Sequence, residues 1–240
     1  MTDIDTLFYR FNPSSQYPAV PPVEGFDKLE MWFMHINKTG GSVVKKWFKA
    51  NELPLGGPEG VHKNITDSQY GQARFYFTIV RNPYDRAASH FFMWRDNHKY
   101  FRTEVTLDDY VKALHERHMH PGRVEGRFRD RRRNAALLSL GKESSQRIIT
   151  FQDRLFNSCS DWMTSSTAQD NLAIFKCEEM DKLENFFTKR LSITIPLKDI
   201  RVEETETRRL PSYKHLYSKE SIGFIQEVYA DDFRNLRYDP

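Results

Sequence analysis

The first sustained apolar run, Leu29 to Ile36 (LEMWFMHI), stops at Asn37-Lys38-Thr39-Gly40-Gly41. A short apolar run ending on glycines predicts a buried strand feeding a tight loop. From Ser42 the period changes. Val43, Val44, Trp47 and Phe48 share one helical face, with Lys45, Lys46 and Lys49 outside it. Phe75 to Val80 (FYFTIV) predicts a second strand, ending at Arg81-Asn82-Pro83, where Asn82 suits a helix cap and Pro83 a first helical turn. Tyr84, Ala87, Ala88, Phe91 and Trp94 continue as a helical stripe, and Thr106 is placed to cap a helix over 106–118. Ala173 to Lys176 reads as a late strand. Amphipathic helices are expected around 179–191 (Leu183, Phe186, Phe187, Leu191) and 218–236 (Ile222, Ile225, Val228, Tyr229, Phe233). Strands alternating with helices predict an α/β fold whose parallel sheet is covered on both faces. The expected organisation is one domain over 29–240, preceded by an extended arm, 1–28, punctuated by Pro13, Pro18, Pro21 and Pro22.

Composition narrows the function classes. The 240 residues are 39% hydrophobic and 14% aromatic, enough for a full core and unlike a disordered chain. Lys and Arg total 36 against 33 Asp and Glu, and a net charge of +3 argues against a nucleic-acid partner while leaving room for local anion sites. No apolar stretch approaches the roughly 18 residues of a membrane span. The acidic start MTDIDT is unlike a secretory signal. With only Cys159 and Cys177, and no CxxC spacing, the expectation is a soluble, cytoplasmic protein carrying two thiols.

Two segments carry candidate chemistry. The first is His35-Ile36-Asn37-Lys38-Thr39-Gly40-Gly41-Ser42, between a predicted strand and helix. Glycines let backbone approach an anion, and the helix N-terminus presents N–H groups and partial positive charge. Lys38 adds a cation, and Thr39 and Ser42 add hydroxyls. The order is not that of a Walker A loop, because the lysine precedes the glycines. The second is Arg81-Asn82-Pro83-Tyr84-Asp85-Arg86-Ala87-Ala88-Ser89, with Arg81 leaving a strand and Asn82, Arg86 and Ser89 on one helical face. An arginine with a hydroxyl can grip a phosphate. The bland alternative is a capped helix whose Asp85 and Arg86 charges face water.

Taken together, the two segments resemble the PAPS-dependent sulfotransferases, particularly the carbohydrate-type branch (PAPS is 3′-phosphoadenosine 5′-phosphosulfate). That family has a PKTGGTS-like loop and an F-x-x-VRNPYDR-x-x-S segment, which here runs from Phe77 to Ser89. Ile174 to Met180, and the stretch from Tyr217 through Asp232, Phe233 and Tyr238, are also similar to the family's later segments. The resemblance runs from about Met31 onward and is weak across 97–150. Two positions depart from the pattern. Asn37 stands where proline is usual, and Val43 where a second hydroxyl is common.

The resemblance implies a P-loop-kinase-like three-layer sandwich, a central parallel sheet flanked by helices. It implies sulfuryl transfer from PAPS to a hydroxyl-bearing acceptor, a glycan or glycoside, releasing the bisphosphate PAP, with no metal. Lys38 would stabilise the leaving oxygen. Thr39, Gly40, Gly41 and Ser42 would hold the 5′-phosphate, and Arg81 and Ser89 the 3′-phosphate. The acceptor's base is placed between the two segments, at His62 first and Glu59 second. His35 is expected to pack at the strand end. His115, His118 and His120 suggest a metal, but helical geometry splits them and no carboxylate partner is evident in sequence. The arginines of 123–133 would suit gripping an anionic glycan or closing over PAPS, and a solvated loop equally. Two rivals stand beside this reading: a nucleotide or small-molecule kinase of related fold, and a non-catalytic nucleotide- or glycan-binding module.

Overall fold

The computed structural model describes residues 31–57, 75–120, 134–145, 153–164, 172–200 and 214–240. The chain packs into two units, one of residues Met1–Asn82 with Cys159–Glu203 and one of Pro83–Ser158 with Glu204–Pro240. Each unit is discontinuous in sequence, so no shift in composition marks its border.

The first unit is α/β. Its described strands, β1 (Met31–Met34), β2 (Phe75–Val80) and β3 (Leu172–Lys176), form a parallel sheet in the order β1-β2-β3. The register sets Phe33 beside Phe77, and Phe77 beside Ala173. β2 is buried at all of its positions, as befits the middle strand of a parallel sheet; its one strongly polar side chain, Thr78, donates to the Met34 carbonyl at 2.7 Å. One sheet face is Met31, Phe33, Phe75, Phe77, Ile79, Ala173 and Phe175. Packed on it are α1 (Gly41–Ala50), through Val44, Trp47 and Phe48, and α6 (Met180–Thr188), through Leu183, Phe186 and Phe187. Phe187 makes the joint, with ring centroids 5.0 Å from Phe77 and 5.1 Å from Phe48. Burying one such ring is worth about 1.5–3 kcal/mol, so these few aromatics anchor both helices to the strands. Asn51 closes α1 by accepting from the Thr194 and Ile195 N–H groups at 2.9 and 2.8 Å.

The second unit is helical in its described residues. α2 (Pro83–Phe92) runs into a π-helical turn, Met93–Asn97. There the His98 N–H donates to the Met93 carbonyl at 2.9 Å, and the Trp94 carbonyl accepts from Tyr100 at 2.8 Å. Trp94 is fully buried against His90, Phe101 and Phe156. α3 (Leu107–Met119) opens on a capping box. Thr106 accepts from the Asp109 N–H, and Asp109 accepts from the Thr106 N–H. α3 packs against α4 (Ala135–Leu140) and α7 (Lys219–Val228). α5 (Cys159–Thr164), in the first unit, and α4 are six-residue helices, too short to show a period in sequence.

The pattern over 218–236 predicts one helix, and the structure corrects this to two. Tyr229, at φ −114 and ψ 27, separates α7 from α8 (Ala230–Asn235). Ile225, Tyr229, Phe233 and Leu236 stay buried across the break; their spacing of four, four and three would suit one straight stripe equally, so the sequence carries no sign of it.

Candidate functional site

Between β1 and α1 the chain makes a tight turn in which Lys38 takes φ 62 and Gly40 φ 87. A left-handed conformation costs a residue with a Cβ roughly 1–2 kcal/mol, so the turn at Lys38 has to be held. Hydrogen bonds on and around it do this. The buried Thr39 hydroxyl donates to the Ile36 carbonyl at 2.9 Å. The Val43 N–H donates to the Gly40 carbonyl at 3.0 Å. Arg81, the first residue past β2, donates from Nη1 to the Lys38 carbonyl at 3.4 Å. The Thr39 hydroxyl proton is thus committed to the turn itself, and the donor this residue can turn toward an anion is its backbone N–H.

The glycines are dictated by their neighbours. A Cβ on Gly40 would stand 3.1 Å from Cys177 Sγ, and one on Gly41 would stand 2.6 Å from His35 Nε2 and 2.9 Å from Phe33 Cζ. His35 is buried and stacked on Phe33 with centroids 5.6 Å apart, so it packs at the strand end and floors the turn. Gly40 is the N-cap of α1, with no capping side chain, and the helix has no acidic residue in its first turn. Nothing within its own first turn offsets its partial positive charge. Ser42 is exposed there and Lys38 half-buried. Further along α1, partial burial lowers the pKa of Lys45.

The neighbouring strand ends are laced to this turn. The Asn82 N–H, after β2, donates to Glu178 Oε1 at 2.7 Å, and Glu178 follows β3. Lys38–Gly41, Arg81–Asn82 and Cys177–Glu178 thus stand at the carboxyl ends of three adjacent parallel strands. That edge is where open parallel sheets bind ligands. A lysine and an arginine stand at that edge with a helix N-terminus, a combination chemically suited to phosphate or sulfate.

Sequence reasoning did not assign Cys177 and Glu178 to the site. Their signal was present as the similar stretch Ile174 to Met180, but only the sheet order brings them beside the glycine turn. Ser89 lies on α2 of the second unit, half-buried. Arg86, in the same segment, does not face water. It is buried, donating from Nη1 to the Asn157 carbonyl at 2.8 Å and from Nη2 to the Leu155 carbonyl at 3.5 Å. Buried Arg117 donates to the Asn157 side-chain oxygen at 2.7 Å. These two guanidiniums pin one stretch of the second unit. His115 does have a carboxylate partner, Glu227, at 2.7 Å, and stacks on Phe224. Among the described residues no group of three His, Cys, Asp or Glu could hold a metal ion. His62, Glu59, residues 123–133 and the arm 1–28 lie outside the described residues.

No helix among the described residues is long and apolar enough to cross a membrane. Comparison with family models, with curated proteins and with solved structures gives no match to this chain.

Proposed function

We propose that this chain is a sulfotransferase that moves a sulfuryl group from PAPS to a hydroxyl of a glycan or glycoside, on a P-loop-kinase-like three-layer fold, in the cytoplasm. The observation that carries the proposal is the junction of the Lys38 turn with Arg81 at adjacent strand ends, Nη1 to carbonyl 3.4 Å. A nucleotide with phosphate at both its 5′ and 3′ positions needs two cationic contacts a short distance apart, and this edge supplies a lysine, an arginine and a helix N-terminus together.

In this reading the N–H groups of Thr39, Gly40, Gly41 and Ser42 bind the 5′-phosphate, with the exposed Ser42 hydroxyl. Arg81 binds the 3′-phosphate. The Lys38 ammonium meets the negative charge that grows on the bridging oxygen as the sulfur–oxygen bond breaks, which lowers the barrier electrostatically. A base, His62 or else Glu59, takes the acceptor's proton as its oxygen bonds to sulfur. No metal has a part in this scheme.

Calorimetry with PAP and with ATP, both without magnesium, followed by transfer of labelled sulfate to a panel of glycans and glycosides, tests the proposal. PAP binding with sulfate transfer is the expected result. ATP binding in place of PAP would make the chain a kinase, and PAP binding with no transfer to any acceptor would make it a binding module. If His62→Ala keeps turnover and Glu59→Ala abolishes it, Glu59 is the base.

A further inference from the structure

We infer that Arg81 is a positioning residue for the Lys38 turn as well as a ligand of the 3′-phosphate, so that the two halves of the nucleotide site are coupled through one side chain. This rests on the sulfotransferase reading of the site. Lys38 is held at φ 62, a conformation that a residue with a side chain leaves unless its surroundings fix it. Thr39 and Val43 tie the residues on either side of that strain. The carbonyl of Lys38 itself is met by Arg81 Nη1 at 3.4 Å. A guanidinium carries five donors in a planar fork, so one edge can stay on a carbonyl while another faces a phosphate. A phosphate that draws the guanidinium toward itself thereby also sets the tether on Lys38, the residue whose ammonium must meet the leaving oxygen.

The two roles separate with a ligand that lacks the 3′-phosphate. For Arg81→Met, which keeps the length of the side chain without its donors, calorimetry is run with PAP and with adenosine 5′-phosphosulfate. Backbone hydrogen exchange across 38–41 is followed in the ligand-free protein. The expected result is a loss of about tenfold in affinity for adenosine 5′-phosphosulfate, beside a larger loss for PAP. Faster exchange in the turn, with the rest of β1 and α1 unchanged, is expected beside it. Should Arg81→Met not fold, Arg81→Lys carries the same comparison, because a single ammonium cannot serve carbonyl and phosphate together. Loss confined to PAP, with exchange in the turn unaltered, would overturn the inference and leave the sulfotransferase reading standing. Failure of the wild-type protein to bind either nucleotide would remove both.

Discussion

The imidazole of His35 fills the space that a side chain on Gly41 would need, Nε2 lying 2.6 Å from where that Cβ would stand. The glycine that opens α1 is therefore fixed by packing from beneath, whatever binds above it. Gly41→Ala must push a buried ring that is already stacked on Phe33, and overpacking of this kind costs about 1–3 kcal/mol. Urea unfolding of Gly41→Ala, His35→Ala and the double variant separates the terms. The double variant should recover part of the loss, a coupling expected of groups in contact. A fully stable Gly41→Ala would show that the turn accommodates a methyl group and that the glycine is there for the ligand alone.

Lys38 and Arg81 make different predictions although they adjoin. Lys38→Met leaves the backbone strain unchanged, because methionine is no more at ease at φ 62 than lysine. Its effect should fall on the chemical step. Sulfate transfer is expected to drop by at least about 100-fold, with PAP affinity kept within about tenfold. Equal losses in turnover and PAP affinity would instead make Lys38 a ground-state binding group.

How far the sequence anticipates this arrangement depends on the kind of signal. β2 is legible to the residue because an apolar run bounded by Arg81-Asn82-Pro83 has few other meanings, and the cap at Thr106 because its side-chain chemistry is local. What lies across strands is not legible. Nothing in Cys177 or Glu178 announces that β3 will stand beside β2 and bring them to the glycine turn. Arg86 is the sharper case. Its spacing from Asn82 and Ser89 makes it a candidate for phosphate, but its partners at residues 155 and 157 are invisible until the chain is folded. The break at Tyr229 is of the same kind, since nothing in the helical spacing of Ile225, Tyr229, Phe233 and Leu236 announces it.

The contrast between Arg86 and Arg81 is directly testable. Arg86→Met removes the guanidinium's hydrogen bonds to the Asn157 and Leu155 carbonyls, and a hydrogen bond from a charged donor is worth about 1.5–3 kcal/mol. The thermal midpoint should fall, while the PAP affinity of the folded protein stays within about threefold. Arg81→Ala should do the reverse, keeping most of the stability and losing about 2–4 kcal/mol of PAP affinity, roughly 30- to 1000-fold. Loss of PAP affinity in a folded Arg86→Met protein would return that arginine to the nucleotide site.

The capping box at α3 gives a prediction in pH. Hydrogen bonds from the Thr106 hydroxyl at 2.7 Å and the Thr106 N–H at 2.9 Å lower the pKa of Asp109. The folded carboxyl therefore titrates below its unfolded value of about 3.9. Its stabilising contribution is fully present above that value and is lost as the pH falls through the folded pKa. Asp109 is exposed, so solvent screens the charge and the contribution is small. The cap as a whole is worth about 1 kcal/mol. Urea midpoints of the wild type and Asp109→Ala should differ at neutral pH and converge as the pH is lowered through the folded pKa of Asp109. Thr106→Ala, which removes the hydroxyl donor and the acceptor of the Asp109 N–H together, should lose more at neutral pH and keep part of its deficit in acid. The hydroxyl's bond to that N–H, at 3.1 Å, does not depend on the carboxylate charge. A gap between wild type and Asp109→Ala that stays constant down to acid pH would mean that the ionised carboxylate contributes nothing and that the box is held by the threonine alone.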